Sequence, residues 1–435
     1  MHYYSTNKKA QPVSLEEAVI KGLAPDKGLY MPESITRLPD AFFHNITEMT
    51  LQDIAFVVAS AFFGGDVEAK KLQEIVNDTM NFEIPLVKVT DSVYSLELFH
   101  GPTAAFKDVG ARFMARLLGY FIEQGHKQKT VNVLVATSGD TGSAVANGFF
   151  QVPGIRVFVL YPKDKVSEIQ EKQFTTLGNN ITAIEVEGTF DDCQRLVKEA
   201  FMDEDLNKEM FLTSANSINV ARFLPQAFYY FHAYAAYKRA GNTDEPVFCV
   251  PSGNFGNITA GLFAKRMGLP VKRFIAANNK NDIFLQYLNT GVYTPRPSVQ
   301  TIANAMDVGN PSNFDRILDL YGNSHEAITK DISGVSYTDE QIGHTIARVY
   351  EQTDYLLDPH GACGYQALED LLQEGEKGIF LETAHPAKFK DTVEAVIGEG
   401  VVIPKSLHRF MGGLKCSEPL AADYAAFRKF LLENR

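Results

Sequence analysis

The chain has 435 residues, 45% of them apolar and 22% charged, a balance that excludes fibrous and disordered classes. Its net charge of -12 and the lack of a dense Lys/Arg cluster speak against a nucleic-acid partner. No apolar run reaches the roughly 20 residues of a membrane span. Cys193, Cys249, Cys363 and Cys416 are scattered with no CxxC pair, which argues against a zinc site or a disulfide framework. Met1–Ala10 lacks the apolar stretch of a secretory signal. The expectation is a cytoplasmic protein that takes a small molecule, with no nucleic-acid or membrane partner.

In chain order, Ser14-Leu-Glu-Glu17 reads as a capping box that opens a helix. Helical periodicity recurs over 51–64 and 68–80, so the first 95 residues read as mainly helical. From there, strands and helices alternate. Strand-like runs are 131–137, 155–161, 181–186, 247–251, 274–277 and 379–383. Helix-like runs are 106–124, 142–150, 165–177, 191–203, 224–240 and 257–267. β-branched runs alternating with helices predict an α/β fold with parallel sheets. One sheet is expected to draw on discontinuous segments.

Three stretches carry chemistry. The strand 247–251 runs into Ser252-Gly-Asn-Phe-Gly-Asn257 and then a helix. Amides at a helix start, with glycines removing Cβ obstruction, suit an anion; a plain strand-to-helix turn accounts for the same residues. Neither GxGxxG nor GxxxxGK[ST] occurs, which lowers dinucleotide and Walker-type readings. A second such loop, Thr137-Ser-Gly-Asp-Thr-Gly142, adds the hydroxyls of Ser138 and Thr141 and suits a carboxylate or phosphate. There Asp140 either faces a donor or caps the following helix. A third cluster, Asn216-Ser-Ile-Asn-Val-Ala-Arg222, joins Asn216, Ser217 and Arg222. It reads as a phosphate grip by charge-assisted bonds or as a polar loop.

Lys107 is the one charge on the helical stripe Ala104, Lys107, Ala111, Met114, Leu118 and Phe121, whereas Asp108, Arg112 and Arg116 read as the polar face. A desolvated lysine is held towards its neutral, nucleophilic form, as a Schiff base requires. A lysine snorkelling at the helix start explains the stripe as well, and the helix by itself favours that reading. Thr383 and His385 follow a strand, where ligands of α/β sheets sit. His385 and His360 read first as structural histidines.

Together, Phe106-Lys107-Asp108, Ser138-Gly-Asp-Thr-Gly142, Gly253-Asn-Phe-Gly-Asn257 and Glu382-Thr-Ala-His-Pro386 resemble the threonine synthases of the long bacterial and fungal type. Those are fold-type II pyridoxal-phosphate enzymes. Gly22–Glu33 and 305–314 resemble the same family, so the likeness spans nearly the whole chain. It implies two parallel-sheet α/β domains: 96–128 with 218–435 as the large cofactor-binding domain, and 129–217 as a smaller one, after a mainly helical 1–95.

The resemblance also implies roles. Lys107 is the catalytic, cofactor-bearing lysine for pyridoxal 5'-phosphate. Gly253, Asn254, Phe255, Gly256 and Asn257 hold its phosphate, Thr383 its pyridine nitrogen, and Asp140 lies near its 3' oxygen. Ser138 and Thr141 take the substrate carboxylate, and Asn216, Ser217 and Arg222 the substrate phosphate. No metal is implied. The implied reaction turns O-phospho-L-homoserine and water into L-threonine and phosphate, in a monomer or homodimer. The alternative is a lyase acting on another phosphorylated amino acid. Gly361, after His360, stands where the family pattern suggests a hydroxyl residue.

Overall fold

The computed structural model describes residues 1–125 and 130–435. The chain divides into two compact units. One comprises Met1, 31–106 and 223–402; the other comprises 2–30, 107–222 and 403–435. The chain passes between them at Phe106–Lys107 and at Arg222–Phe223.

The first unit is built on a six-stranded sheet in the order Ile332–Ser336, Phe274–Asn278, Val247–Pro251, Gly378–Glu382, Val93–Glu97 and Leu86–Lys88. All neighbours are parallel except the last pair. Its strands come from four distant stretches of chain, as expected for discontinuous segments. The runs VFCVP and GIFLE are buried at every residue. Parallel strands covered on both faces need such continuous apolar runs, not alternation. Val93–Glu97 and Leu86–Lys88 lie at the edge of the stretch read as helical. They are short, five and three residues, and follow the helix Ala69–Thr79 closely.

The second unit holds a five-stranded, wholly parallel sheet in the order Glu418–Ala421, Ile181–Glu187, Ile155–Pro162, Val131–Ala136 and Phe211–Ser214. Glu418–Ala421, with a proline at an exposed edge, carries no periodic signal from which it could be read. Leu134, Phe158, Ile184, Leu196 and Phe427 are each at most 1% exposed in the core under this sheet.

The helix opened by Ser14 spans Leu15–Lys21, and the Ser14 hydroxyl accepts from Glu17 N as its sequence motif predicts. The lysine helix spans Lys107–Gly125 and is buried over most of its circumference. Asp108, read as part of a polar face, is 1% exposed. The charges of Arg222 and Arg409, from distant segments, act on Asp108, whereas Arg112 and Arg116 on the same face are half-buried.

Candidate active site

In the six-stranded unit, Val247–Pro251 and Gly378–Glu382 are neighbours in the sheet. The loops after them therefore emerge side by side at the carboxyl end, the usual ligand position of such sheets. The first leads into the helix Gly256–Arg266. That helix is capped by no side chain, and its preceding residue Phe255 is left-handed at φ 61°. A non-glycine residue there is strained and needs a fixed surrounding. The 2% exposed Phe255 ring packs against Phe284 at 4.6 Å.

Asn257 staples the same loop: its Nδ2 donates to Pro251 O at 2.8 Å and its Oδ1 accepts from Ile258 N. Asn254 Oδ1 accepts from Ser312 N at 2.6 Å, and Asn254 O from Asn313 Nδ2 at 2.9 Å. The side chains of Asn254 and Asn257 thus fix the loop, Asn257 taking the Ile258 amide, and a helix start of this kind favours an anion. At Gly253 an added Cβ would stand 2.6 Å from Ala305 O and 2.8 Å from Met306 Cα. Only glycine allows that approach.

Thr383 follows the second strand. Its carbonyl accepts from Phe106 N at 2.8 Å, and the next residue forms an isolated bridge with Ala105. The segment that leads into Lys107 is thereby pinned to Thr383. The Thr383 hydroxyl makes no hydrogen bond among the described residues. His385 Nδ1 accepts from Ala387 N at 3.1 Å and its ring meets Phe99 edge-on. Burial, helped by the nearby His100, pushes its pKa down to about 4. His385 is a neutral capping residue at pH 7.

The other unit gathers Lys107, the 137–142 loop and the 214–222 turn. Half-buried Lys107 opens its helix. Its carbonyl accepts from Arg222 Nη1 at 3.2 Å, and Arg222 Nε donates to Ala215 O at 2.6 Å. Gly110 makes this fit possible, because a Cβ there would collide with the Arg222 carbonyl. Arg222 is 2% exposed, and burial lowers its pKa to about 10 against the opposing charge of Asp108. Asn216 Nδ2 donates to Ala136 O at 3.2 Å, which ties the turn to the strand that feeds the 137–142 loop. Ser217 is half-buried on the same turn.

In that loop Thr137 Oγ1 accepts from both Gly139 N and Gly142 N, at 2.9 and 2.8 Å. Gly139, at φ 142°, has no side chain with which to cap the helix Asp140–Phe149 that follows, and the Thr137 hydroxyl takes its third amide instead. Asp140 is not the cap: it is the first helical residue, 4% exposed, and its Oδ1 accepts from Gln170 Nε2 at 2.8 Å. Ser138 and Thr141 alternate with buried Gly139, Asp140 and Gly142 and are themselves half-buried. Neither hydroxyl makes a hydrogen bond among the described residues. These two donors are therefore available to a ligand.

Several residues that shape these loops have no local sequence signal. Gln170 orients Asp140. Asn279 and Asn281 both donate to Asp307 Oδ1, at 2.8 and 3.1 Å, and fasten the turn over Gly253. Burial pushes Asp307 up to about 6, although the Thr301 hydroxyl and amide bonds oppose the shift. Glu382 is wholly buried. Burial, then the nearby Asp358 charge, holds its carboxyl well above the usual range. Its Oε1 accepts from Asp358 N at 2.7 Å, while Oε2 has no partner among the described residues. A Cβ at Gly361 would fall on this Oε2. Glycine stands in place of a hydroxyl residue because Glu382 fills the space.

Comparison with known proteins places these loops in context. Residues 84–379 match the model of the pyridoxal-phosphate dependent enzyme family. Residues 2–80 and 361–431 match the models of the threonine synthase N terminus and the threonine synthase C-terminal region. The chain is 43% identical to a threonine synthase of Escherichia coli over the full length of both. A crystal structure of threonine synthase from Escherichia coli superposes with a TM-score of 0.93 at 42% identity, covering 100% of each chain. A pyridoxal-phosphate-bound threonine synthase from Brucella melitensis superposes at 0.92 and 33% identity, covering 100% of this chain and 99% of that one. With both sheets, their loops and the two terminal regions accounted for, the chain belongs to the threonine synthase family of pyridoxal-phosphate-dependent enzymes.

Proposed function

We propose that this chain converts O-phospho-L-homoserine and water to L-threonine and phosphate, with pyridoxal phosphate as cofactor. The observation that carries the reading is the juxtaposition of an uncapped helix start after Pro251 with Thr383 on the neighbouring strand, one residue's reach from the chain that leads into Lys107. The residues present fit the cofactor on this structure's own terms. Gly253 leaves a cradle that a Cβ would fill, and the Thr383 hydroxyl is unspent. A neutral hydroxyl suits an unprotonated pyridine nitrogen better than an acid does.

When bound, the cofactor supplies an electron sink for the carbanion at the substrate Cα. Lys107 would hold it covalently. The Lys107 amine would serve as the base that takes a proton at Cα and moves protons at Cβ. Gly253 to Asn257 receive the cofactor phosphate on backbone amides. Asp140, held by Gln170, would serve the cofactor's 3' oxygen. Ser138 and Thr141 take the substrate carboxylate, and Asn216, Ser217 and Arg222 its phosphate, which leaves from Cγ before water adds at Cβ. We place this activity in the cytoplasm, in a monomer or homodimer with no nucleic-acid or membrane partner. Among the described residues no helix is long and apolar enough to cross a membrane.

Product analysis tests the reaction. Incubation with O-phosphohomoserine should release threonine and inorganic phosphate in equal amounts. A 2-oxo acid with ammonia would instead assign a phospho-lyase.

Arg222 permits a sharper test. Its guanidinium donates to two backbone carbonyls, so Arg222→Ala should lower the melting temperature. If Arg222 also grips the substrate phosphate, a charge-assisted bond worth about 1.5–3 kcal/mol is lost. The kcat/KM for O-phosphohomoserine should then fall roughly tenfold to a few hundredfold. Slow deamination of serine, which has no phosphate, should change little. Parallel losses in both reactions would reduce Arg222 to a scaffold residue.

A further inference from the structure

Asp358 and His360 form a buried pair for which the reaction above has no use. Asp358 caps the helix Pro359–Leu371 and is 0% exposed; His360 is 2% exposed. His360 Nε2 accepts from Ala305 N at 3.1 Å, so that nitrogen carries no proton. The proton is on Nδ1, which donates to Asp358 Oδ1 at 2.6 Å. The other carboxylate oxygen, Oδ2, accepts from Ala384 N at 3.3 Å, and Asp358 N donates to Glu382 Oε1. Each end of this chain of bonds reaches a different part of the cofactor bed. Ala305, whose N–H is held by the imidazole, sets its carbonyl over Gly253. Ala384, whose N–H is held by the carboxylate, directly follows Thr383.

We propose that Asp358 and His360 are a positioning pair that fixes the 303–307 turn over the phosphate loop and the Thr383–Ala384 strand end as one frame for pyridoxal phosphate. The inference rests on the cofactor reading above. It adds that cofactor retention depends on the acceptor at His360 Nε2, a tautomer selected by the Nδ1 bond to Asp358. A cap or core histidine with no bearing on the cofactor would not distinguish one ring nitrogen from the other.

Three variants separate these cases. In His360→Gln the amide oxygen can replace Nε2 as acceptor for Ala305 N–H but loses Asp358. In His360→Asn the amide can replace Nδ1 as donor to Asp358 but cannot reach Ala305. In Asp358→Asn both positions now serve as acceptors for N–H groups, and one amide cannot accept at both; the imidazole itself is kept. The measurement is release of pyridoxal phosphate from each holoenzyme at pH 8, followed by transfer to an excess of a cofactor-free acceptor enzyme. Melting temperatures of the cofactor-free forms are recorded in parallel.

The expected order is wild type and His360→Gln slow, with His360→Asn roughly three- to tenfold faster, the range for one lost neutral hydrogen bond. Asp358→Asn should be faster still, while the cofactor-free melting temperatures of the two His360 variants stay together. Equal release from His360→Gln and His360→Asn would overturn the proposal, as would release that merely tracks the cofactor-free melting temperature. Should either His360 variant fail to fold, Asp358→Asn alone decides, since wild-type release from it would equally overturn the proposal. Borohydride labelling of the wild-type holoenzyme separates the two levels. A label away from Lys107 defeats the cofactor reading, whereas a label on Lys107 with equal release defeats only the positioning pair.

Discussion

Replacing Lys107 by alanine should leave a folded protein that has lost its colour and its turnover. The structure separates those consequences. Lys107 is the first residue of its helix, and alanine is the best helix former, so the backbone is not disturbed. The Lys107 carbonyl accepts from Arg222 Nη1, and that bond survives the substitution. What disappears is the amine, which is both the covalent attachment and the base. Loss of a positioned base alone costs roughly a hundred- to ten-thousandfold in rate, and the covalent step is lost with it.

Borohydride reduction of the wild-type holoenzyme should fix the cofactor to this lysine. Trypsin does not cut at a modified lysine, so the labelled peptide should run from Val89 to Arg112. A pyridoxyl group on any other peptide would remove Lys107 from the mechanism. Unfolding of Lys107→Ala would mean that the side chain is structural after all.

The sequence foretells this lysine only through its neighbours. A charge on an apolar stripe is equally a snorkelling side chain, and nothing in helical periodicity decides between them. The loops read more directly. Strand, glycine-rich turn and helix are local events, and Val247–Pro251 with Gly256–Arg266 lie within a residue of their expected ends. What could not be read are the contacts that hold these loops. Gln170 meets Asp140 across 30 residues, and His360 meets Ala305 across 55. Such pairs leave no spacing in the chain. Asp108 shows the same limit from the other side. Period 3.6 places it with Arg112 and Arg116, which suggests a wet face. The opposing charges that act on it, Arg222 and Arg409, come from segments far along the chain.

Gly361 and Glu382 are a further case: each looks anomalous alone, and each explains the other once side by side. The first 95 residues are mainly helical as read, but that reading does not show the short strands Leu86–Lys88 and Val93–Glu97 at its end, because pairing partners, not local propensity, make those strands.

Gly253→Val should strip the enzyme of cofactor without unfolding it. The β-carbon would arrive 2.6 Å from Ala305 O and 2.8 Å from Met306 Cα. Both are backbone atoms, so neither can rotate away. The 303–307 turn cannot yield cheaply either, since Asp307 is held by Asn279 and Asn281 and Ala305 by His360. The loop must therefore move, and with it the amides that face the phosphate. Overpacking of this kind costs about 1–3 kcal/mol. If that cost falls on the bound state, pyridoxal phosphate affinity should drop by roughly ten- to a hundredfold.

A matched control is Gly412→Ala, where an added Cβ meets nothing within 4 Å and φ is -85°; cofactor affinity there should stay at the wild-type value. Arg222→Ala, at a residue assigned to the substrate phosphate, should also keep the cofactor. Titrating each cofactor-free protein with pyridoxal phosphate, by absorbance, gives the three affinities. Wild-type affinity in Gly253→Val would show that this loop is only a strand-to-helix turn. Equal loss in Gly253→Val and Arg222→Ala would show that cofactor and substrate phosphates do not have separate seats.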